Sequence, residues 1–208
     1  MPNPWLSIPL SDYEGHMESP GVQQLSALSQ FFARVLQECR PRSVAVLGVA
    51  GGNGLEHIPR TSVERLVGVD INPDYLKELS QRYKDVAALE VHCVDIATER
   101  VPAQPVDVVH AALIFEHTGL GPALESAVAL IAPGGRLSVV LQLPGSEHDV
   151  APTPFPSIQT LRDHFTLIDP ADLRTELLAA GFHLVDEARR AIPAGKALWL
   201  GVFARASA

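Results

Sequence analysis

Hydrophobic and polar positions follow two alternating patterns along most of this 208-residue chain. Short apolar runs rich in β-branched residues are typical of buried strands, and segments with an apolar residue every three to four positions are typical of amphipathic helices. Strands that alternate with helices favour a parallel sheet with helices on both faces. The sequence predicts strands at residues 43–47, 65–70, 88–94, 106–112 and 136–143, and helices at residues 22–40, 73–83 and 122–131.

The last part of the chain departs from this alternation. Asp169 and Pro170 provide an N-cap and a first-turn proline for a helix that ends at Gly181. Two strands follow at residues 182–191 and 197–204, and their connection is too short for a parallel crossover, so they must be antiparallel. The predicted fold class is therefore α/β, with a doubly wound, mostly parallel seven-stranded sheet, an antiparallel C-terminal strand pair and helices on both faces.

Two segments lack a regular pattern. Residues 1–21 are rich in Pro, Ser and Gly and predict an irregular N-terminal arm, whereas residues 22–208 are interpreted as one domain. The arm carries enough apolar side chains to dock on that domain, so we expect it to be ordered. The second segment is a Pro-rich loop at residues 144–158, which contains Glu147 and His148 and is long enough to indicate a role in substrate choice.

Composition narrows the classes of function. The chain has 16 Lys and Arg against 24 Asp and Glu, a net charge of −8, which argues against nucleic acid or an anionic membrane as its main partner. The first residues lack the pattern of a signal peptide, and no apolar run approaches the length of a membrane span. Cys39 and Cys93 lack the spacing of a disulfide framework or a zinc site. We expect a cytoplasmic protein without a metal site.

The strongest indication of function is a glycine cluster after the first strand, Gly48-Val-Ala-Gly-Gly-Asn-Gly54, which is predicted to lead into a helix. Glycines let the backbone approach a ligand closely, and open α/β sheets bind ligands at this end of their strands. Asp70 ends the second strand, 16 residues after Gly54, where a carboxylate can accept hydrogen bonds from both hydroxyls of a ribose. Together these features indicate an adenosine-containing ligand.

Several kinds of adenosine ligand compete for this cluster. A phosphate-binding loop requires a lysine after the glycines, and none follows here. A dinucleotide loop requires Gly-x-Gly-x-x-Gly, but Ala50 and Asn53 replace two of its glycines. The spacing of Gly48, Gly52 and Gly54 matches the looser loop of short-chain dehydrogenases, although no tyrosine here is followed four residues later by their lysine. An NAD(P)-dependent oxidoreductase and a non-catalytic binding protein for an adenosyl ligand stay open as alternatives.

The remaining ligand is S-adenosylmethionine, and residues 43–205 resemble the class I methyltransferase family. The first motif of that family reads roughly hydrophobic-Leu-Asp-hydrophobic-Gly-x-Gly-x-Gly. Gly52 and Gly54 match it, and Ala50 replaces its first glycine. Gly48 replaces an acid that, in many members, orients the methionine end of the cofactor. The resemblance extends to Asp70, Asp95, the Val-Asp-Val-Val start of the fourth strand, the Pro-Gly-Gly turn before the fifth and the closing antiparallel strands.

The resemblance implies a methyltransferase that uses S-adenosylmethionine, and the acidic net charge favours a small-molecule substrate. In such a site Asp70 binds the ribose, Ile71 packs on the adenine and Asp95 accepts a hydrogen bond from its amino group. N-terminal arms in this family often fold over the cofactor, which brings arm residues into the site. The expected cofactor-binding residues are Gly48, Ala50, Gly52, Asn53, Gly54, Asp70, Ile71, Asp95, Ile96, Ala112, Tyr13 and Met17.

The segment after the fourth strand lines the cleft between cofactor and substrate in that family, and it holds the candidate catalytic residues Glu116 and His117. Because these residues are adjacent, their side chains point in different directions and at most one faces the site. His117 is the better general base, since the ordinary pKa of histidine lies near neutrality. The strand lacks the Asn/Asp-Pro-Pro-Tyr/Phe motif typical of enzymes that methylate the amino groups of nucleic-acid bases, which again favours a small molecule.

Overall fold

The computed structural model describes residues 3–59, 62–86, 88–145 and 149–205, and these residues form a sheet of seven strands. The strands are β1 (Ser43–Leu47), β2 (Arg65–Asp70), β3 (Leu89–Cys93), β4 (Val106–Ala112), β5 (Ile131–Leu143), β6 (Phe182–Ala191) and β7 (Ala197–Arg205). Their order across the sheet is β3-β2-β1-β4-β5-β7-β6. Strands β1 to β5 are parallel, and β7 is antiparallel to both of its neighbours. The predicted fold class is confirmed.

Two of the α-helices begin where the sequence supplies a side-chain cap. The Asn72 side chain accepts a hydrogen bond from the backbone N–H of Asp74, and Asp169 does the same for Ala171. No helix in the described ranges is both long and apolar enough to cross a membrane. The α-helices there are α1 (Leu10–Glu18), α2 (Gln24–Cys39), α3 (Pro73–Arg82), α4 (Phe115–Thr118), α5 (Gly121–Ala129), α6 (Pro156–Gln159) and α7 (Pro170–Ala179), with 3-10 turns at Pro4–Ser7, Leu55–His57 and Thr160–His164.

The core lies on both faces of the sheet, because successive side chains of each central strand point to opposite sides. In β1, Val44 and Val46 pack with apolar residues of α2 and α3. Ala45 and Leu47 pack on the other face with residues of α5 and α7. This double coverage fixes the position of the central strands, and it holds the carboxyl ends of β1, β2, β4 and β5 at one edge of the sheet.

Two predicted segments differ from the structure near the N-terminus. Residues 1–21 were expected to be irregular, but they contain a 3-10 turn and the helix α1. A Cβ atom at Gly15 would lie 2.4 Å from the ring of Phe155, so α1 depends on a contact with a distant segment. The glycine cluster was expected to enter a helix, but it leads into the single turn Leu55–His57. Pro59 explains the difference, because the residue before a proline disfavours the helical region, and Ile58 is extended.

The fifth strand also differs from its predicted start at residue 136. It begins at Ile131, and the Pro-Gly-Gly sequence lies inside the strand instead of forming a turn before it. Gly134 has a positive φ of 77°, and the pairing with β4 shifts register between Val106 and Val108. The glycines therefore form an irregularity that interrupts a longer strand.

Candidate functional site

A cavity of about 130 Å³ lies at the carboxyl edge of the parallel strands. The glycine cluster, the ends of β2 and β3 and the segment after β4 form its floor, and residues 3–24 and 149–165 supply much of the remaining wall. The residues predicted from the sequence that line this cavity are Gly48, Ala50, Asp70, Ile71, Asp95, Ile96, Ala112, Tyr13, Met17 and His117.

Gly48 begins the turn that brings the backbone to the cavity. The backbone N–H groups of Gly48 and Val49 donate to the carbonyl of Val69, at 2.9 and 3.0 Å, which ties the turn to β2. Gly48 has a φ of 68°, and a Cβ atom there would lie 2.9 Å from Cδ1 of Ile114. A residue with a side chain would therefore be strained and crowded at this position.

Asp70 connects the glycine cluster to α3. Its Oδ2 accepts a hydrogen bond from the backbone N–H of Ala50, and its Oδ1 accepts one from Asn72, both at 2.9 Å. Burial raises the pKa of this carboxyl group, and the two backbone donors act in the opposite direction. The structure thus fixes a buried carboxylate in the cavity wall.

Three residues of the glycine cluster do not line the cavity, although they were predicted to bind the ligand. Gly52 has a φ of 90°, and a Cβ atom there would lie 2.5 Å from the ring of Tyr83. A Cβ atom at Gly54 would lie 3.0 Å from Phe32. Asn53 donates its side-chain amide to a backbone carbonyl of α2 at 3.0 Å. These residues shape the turn through contacts with α2 and α3, on the side away from the cavity.

The N-terminal elements are fastened over the cavity by polar contacts. The Asn72 side chain donates to the backbone carbonyl of Trp5 at 2.8 Å. Glu14 on α1 pairs with Arg82 at the end of α3, where a Cβ atom at Gly51 would collide with both side chains. Trp5 and Tyr13 both line the cavity, with their ring centroids 5.7 Å apart.

Tyr75 presents a polar atom that the protein itself leaves unsatisfied. Its hydroxyl is buried and has no hydrogen-bond partner among the described residues, and its side chain lines the cavity. Burial, and then the negative charge of Asp70, raise the pKa of Tyr75, so the group stays protonated. Tyr13 stacks on it at a centroid distance of 6.3 Å. A buried donor without a partner beside a buried carboxylate is suited to a polar ligand.

Of the two candidate catalytic residues, His117 lines the cavity and Glu116 does not. The His117 ring lies 4.9 Å from Trp5 and 5.2 Å from Phe165, both edge to face. Its Nδ1 is buried without a partner among the described residues, and burial lowers its pKa to about 4. The imidazole is therefore neutral at pH 7 and can accept a hydrogen bond from a ligand.

Glu116 lies in the protein interior, next to the cavity wall. Its Oε1 accepts a hydrogen bond from the backbone N–H of Gln142 at 2.8 Å, and its Oε2 is buried without a partner among the described residues. Burial raises the pKa of this carboxyl group to about 7. Its position indicates an effect on β5 and on stability instead of contact with a ligand.

The far end of the cavity contains polar residues that were not predicted as site residues. Gln24 donates to the side-chain oxygen of Gln142, and Gln142 donates to the backbone carbonyl of Asp149, both at 2.8 Å. Lys196 donates to the same carbonyl at 2.7 Å, and His16 shares a 2.9 Å hydrogen bond with a threonine hydroxyl. The sequence signals were weak, namely a glutamine in an apolar strand and a lysine in a turn.

The Pro-rich loop contributes to the same end of the cavity. Glu147 and His148 lie outside the described residues. Further along the loop, Val150, Ala151 and Ile158 line the cavity, and the predicted loop contains the short helix α6. The described part of this segment therefore lies at the same edge of the sheet as the glycine cluster.

Comparisons with known proteins agree with this geometry. Residues 46–137 match the family model described as a methyltransferase domain, and no curated protein matches the chain. The N-methyltransferase NodS from Bradyrhizobium japonicum WM9, in complex with S-adenosylhomocysteine, aligns with a TM-score of 0.62 at 19% identity, over 100% of this chain and 94% of its own. Magnesium protoporphyrin IX methyltransferase from Synechocystis PCC 6803, with bound S-adenosylmethionine, aligns with a TM-score of 0.69 at 13% identity. This alignment covers 97% of this chain and 93% of the other. At these identities the likeness is one of fold.

Proposed function

We propose that this chain, whose residues 46–137 match a methyltransferase domain, is a class I S-adenosylmethionine-dependent methyltransferase that methylates a small molecule inside the cavity. The observation that carries the proposal is the extent of the cavity, which reaches from Asp70 at the end of β2 to His117 beyond β4 and is bordered by α1. The residues suited to the cofactor and the candidate proton acceptor thus border one cavity, and this is where cofactor and methyl acceptor would meet.

The cofactor is S-adenosylmethionine, and the residues around Asp70 fit its adenosine half. We infer that the buried carboxylate of Asp70 accepts hydrogen bonds from the ribose hydroxyls and that Ile71 and Ile96 flank the adenine. Asp95 lines the same region but also accepts a hydrogen bond from the backbone of Ala97 at 3.0 Å, so it caps a turn as well. The unpartnered Tyr75 hydroxyl supports a polar ligand at this position.

We infer that residues 1–21 act as a cover for the cofactor, attached to the domain of residues 22–208. Three contacts support this role: Trp5 with Asn72, Glu14 with Arg82 and the stacked rings of Tyr13 and Tyr75. A cover that excludes water strengthens the electrostatic interactions inside the cavity.

The reaction makes modest demands on the side chains. S-adenosylmethionine supplies a methyl group on a cationic sulfur, so transfer breaks the S–CH3 bond and leaves a neutral thioether. The protein must hold the acceptor atom in line at about 3–3.5 Å from the methyl carbon. We assign the ring proton of His117 to Nε2, because Nδ1 is buried without a partner among the described residues and is then free to accept a hydrogen bond. Nδ1 then accepts the hydrogen bond, and finally the proton, of an O–H or N–H acceptor.

Replacing His117 by asparagine is expected to lower kcat by about fivefold, the effect of losing one neutral hydrogen bond worth about 1 kcal/mol. The effect is small for a proton acceptor because a group with a pKa of about 4 is only weakly basic at pH 7. The measurement is the release of S-adenosylhomocysteine with an acceptor that the wild type methylates. The exposed His183 serves as the control position. Equal rates for wild type and His117→Asn would remove His117 from the reaction.

Replacing Gly48 by alanine is expected to weaken binding of S-adenosylhomocysteine, because the new methyl group would push Ile114 into the cavity. Gly181→Ala is the control, since Gly181 also has a positive φ, of 83°, but a Cβ atom there meets nothing within 4 Å and the residue does not line the cavity. Both variants carry backbone strain of about 1–2 kcal/mol. Only Gly48→Ala should change the dissociation constant in a calorimetric titration, and a similar change in both variants would contradict the crowding argument.

The function is tested first by thermal unfolding with S-adenosylmethionine, S-adenosylhomocysteine and NAD(P) in parallel. A ligand at a hundred times its dissociation constant stabilises the fold by about 2.7 kcal/mol, which raises the Tm of a chain this size by about 5–10 °C. We expect shifts with the two adenosyl ligands and turnover with some member of a small-molecule panel. A shift with NAD(P) alone would favour an oxidoreductase, and binding without turnover would favour a non-catalytic binding protein.

The cytoplasm is the proposed location, supported by the free thiols of Cys39 and Cys93, since reducing compartments keep cysteines unpaired. Nucleic acid is not the proposed acceptor, because the net charge of −8 opposes binding to phosphates. Measuring electrophoretic mobility shifts with duplex DNA and with RNA would check this, and a complex at physiological salt would contradict it.

A further inference from the structure

Lys196 carries a buried positive charge into the cavity. It lies in the connection between β6 and β7, is 5% exposed, and is the single lysine or arginine among the described residues of the cavity lining. An ammonium group has three donors, and the contact that the structure shows for Nζ is the backbone carbonyl of Asp149 at 2.7 Å. A neutral carbonyl satisfies one donor, and among the described residues no buried carboxylate pairs with the charge.

The surroundings of Lys196 compensate the charge only in part. The carboxylate of Asp149 raises the pKa of Lys196, but burial lowers it by more, and the net pKa is below the ordinary value. Asp149 is itself exposed, so solvent weakens its field. The nearby His16 is neutral and does not compensate the charge of Lys196. Burial, and then the charge of Lys196, lower the pKa of His16 to about 4. An anion in the cavity would therefore stabilise the ammonium group.

Lys196 lies at the opposite end of the cavity from the adenosine half. Asp70 ends β2 and Lys196 precedes β7, and the sheet order places four strand-to-strand steps between them. At about 4.8 Å a step, the two positions are about 19 Å apart across the sheet. His117 follows β4, between these ends. Lys196 therefore belongs to the half in which the acceptor would bind.

Apolar residues border the cavity between His117 and Lys196. Phe165 packs on His117, Leu161 clusters with Val150, which follows Asp149, and Ile192 follows β6. The amide groups of Gln24 and Gln142 are joined to each other, and Gln142 also bonds to the Asp149 carbonyl that Lys196 uses. These bonds fix the wall beside Lys196, where the charged groups of the described lining are the buried ammonium and the exposed carboxylate of Asp149.

We propose that the methyl acceptor is a small carboxylic acid, whose carboxylate pairs with Lys196 and whose apolar body lies against Leu161 and Phe165. This inference rests on the proposed function and names the substrate class for it. One ammonium matches the single charge of a carboxylate, whereas a phosphate with up to two charges would require further cations or an arginine fork. A buried charge-assisted pair also fixes the orientation of the acceptor toward His117.

The test is a calorimetric titration of the protein saturated with S-adenosylhomocysteine, using pairs of probes that differ only in charge. The probes are acetate, phenylacetate and 1-naphthylacetate, each beside its primary amide. We expect at least one carboxylate to bind tenfold or more tightly than its amide, and Lys196→Met to abolish that preference. Lys196→Arg keeps the charge and should retain a preference. Lys84→Met, at an exposed position on the protein surface, is the matched control and should behave as the wild type.

The outcomes separate this inference from the proposed function. Failure of the wild type to bind S-adenosylhomocysteine would contradict the proposed function. Binding of S-adenosylhomocysteine without a preference for any carboxylate would overturn the substrate class alone. The substrate class would also be overturned if Lys196→Met retained the preference for the carboxylate. It would be overturned as well if Lys196→Met weakened the binding of S-adenosylhomocysteine as strongly as the binding of the probes, because Lys196 would then hold the carboxylate of the cofactor. If Lys196→Met fails to fold, a tenfold or greater preference in both the wild type and Lys196→Arg supports the pairing, and loss of the preference in Lys196→Arg overturns it.

Discussion

Replacing Glu116 by glutamine is expected to change the pH dependence of stability by about 3 kcal/mol. The pKa of Glu116 is about 7 in the folded protein, whereas the ordinary value for a glutamate is 4.5. Between these pH values the folded protein therefore binds more protons than the unfolded chain. The free energy of unfolding that this group contributes is complete below pH 4.5 and is lost as the pH rises through 7. A difference of about 2.5 pKa units corresponds to about 3 kcal/mol. The glutamine side chain of the variant cannot ionise, and its oxygen can still accept the hydrogen bond from Gln142.

Urea unfolding of the wild type and of Glu116→Gln at pH 4 and pH 8 measures this effect. The wild type should lose about 3 kcal/mol more than the variant between the two pH values, because other titrating groups cancel in the comparison. Glu125→Gln, at an exposed position of α5, is the control and should follow the wild type. Parallel pH profiles for wild type and Glu116→Gln would show that the buried carboxyl does not titrate in this range.

Replacing Asp70 by alanine is expected to weaken binding of S-adenosylhomocysteine by about 10- to 100-fold, the effect of losing a charge-assisted hydrogen bond of about 1.5–3 kcal/mol. The same change leaves the backbone N–H groups of Ala50 and Asn72 without their acceptor, so the ligand-free protein should lose about 2 kcal/mol as well. Loss of stability alone would not identify a ribose contact, so the contact must be measured through the binding of a ligand.

A thermodynamic cycle with adenosine and 2′-deoxyadenosine separates a ribose contact of Asp70 from its role as acceptor for the backbone. The wild type should prefer adenosine by about tenfold, because the missing hydroxyl leaves the carboxylate with one bond fewer, and Asp70→Ala should have little preference. Asp85→Ala, at an exposed position, should keep the preference of the wild type. An unchanged preference in Asp70→Ala would limit Asp70 to shaping the turn.

Elements with local signals were predicted well from the sequence. Asn72-Pro73 and Asp169-Pro170 carry the cap and the first-turn proline within adjacent residues, and both helices begin there. The strand of residues 106–112 has the predicted bounds because most of its residues are apolar and three of them are valines. Such signals depend on neighbouring residues only, so no knowledge of the fold is needed to read them.

Elements that depend on distant contacts were not predicted. Helix α1 contains Gly15, a poor helix former, and it packs where Phe155 leaves room only for a glycine. The start of β5 at Ile131 depends on pairing with Val106 of another strand. Residues of this kind carry no local pattern, since their partners lie tens of residues away or more.

The site shows the same division. The end of the second strand and the segment after the fourth predicted Asp70 and His117, and both line the cavity because parallel strands bring their carboxyl ends to one edge. Lys196 and Gln142 line the cavity as well but were not predicted, since β5, β7 and α1 must come together to place them beside His16. The glycine motif predicted the turn but not which of its members line the cavity, and Gly52 and Gly54 pack against Tyr83 and Phe32.

The contacts that hold α1 in place bear on the rate of the proposed reaction. Ser157 donates to Asp12 at 2.6 Å, and Glu14 pairs with Arg82, so the Pro-rich loop and α3 both hold the same short helix. If residues 1–21 cover the cofactor as we propose, spent cofactor leaves only after these contacts open, and reclosure must follow before the next cycle. We therefore expect the first turnover to be faster than the later ones, with the opening of α1 limiting the steady-state rate.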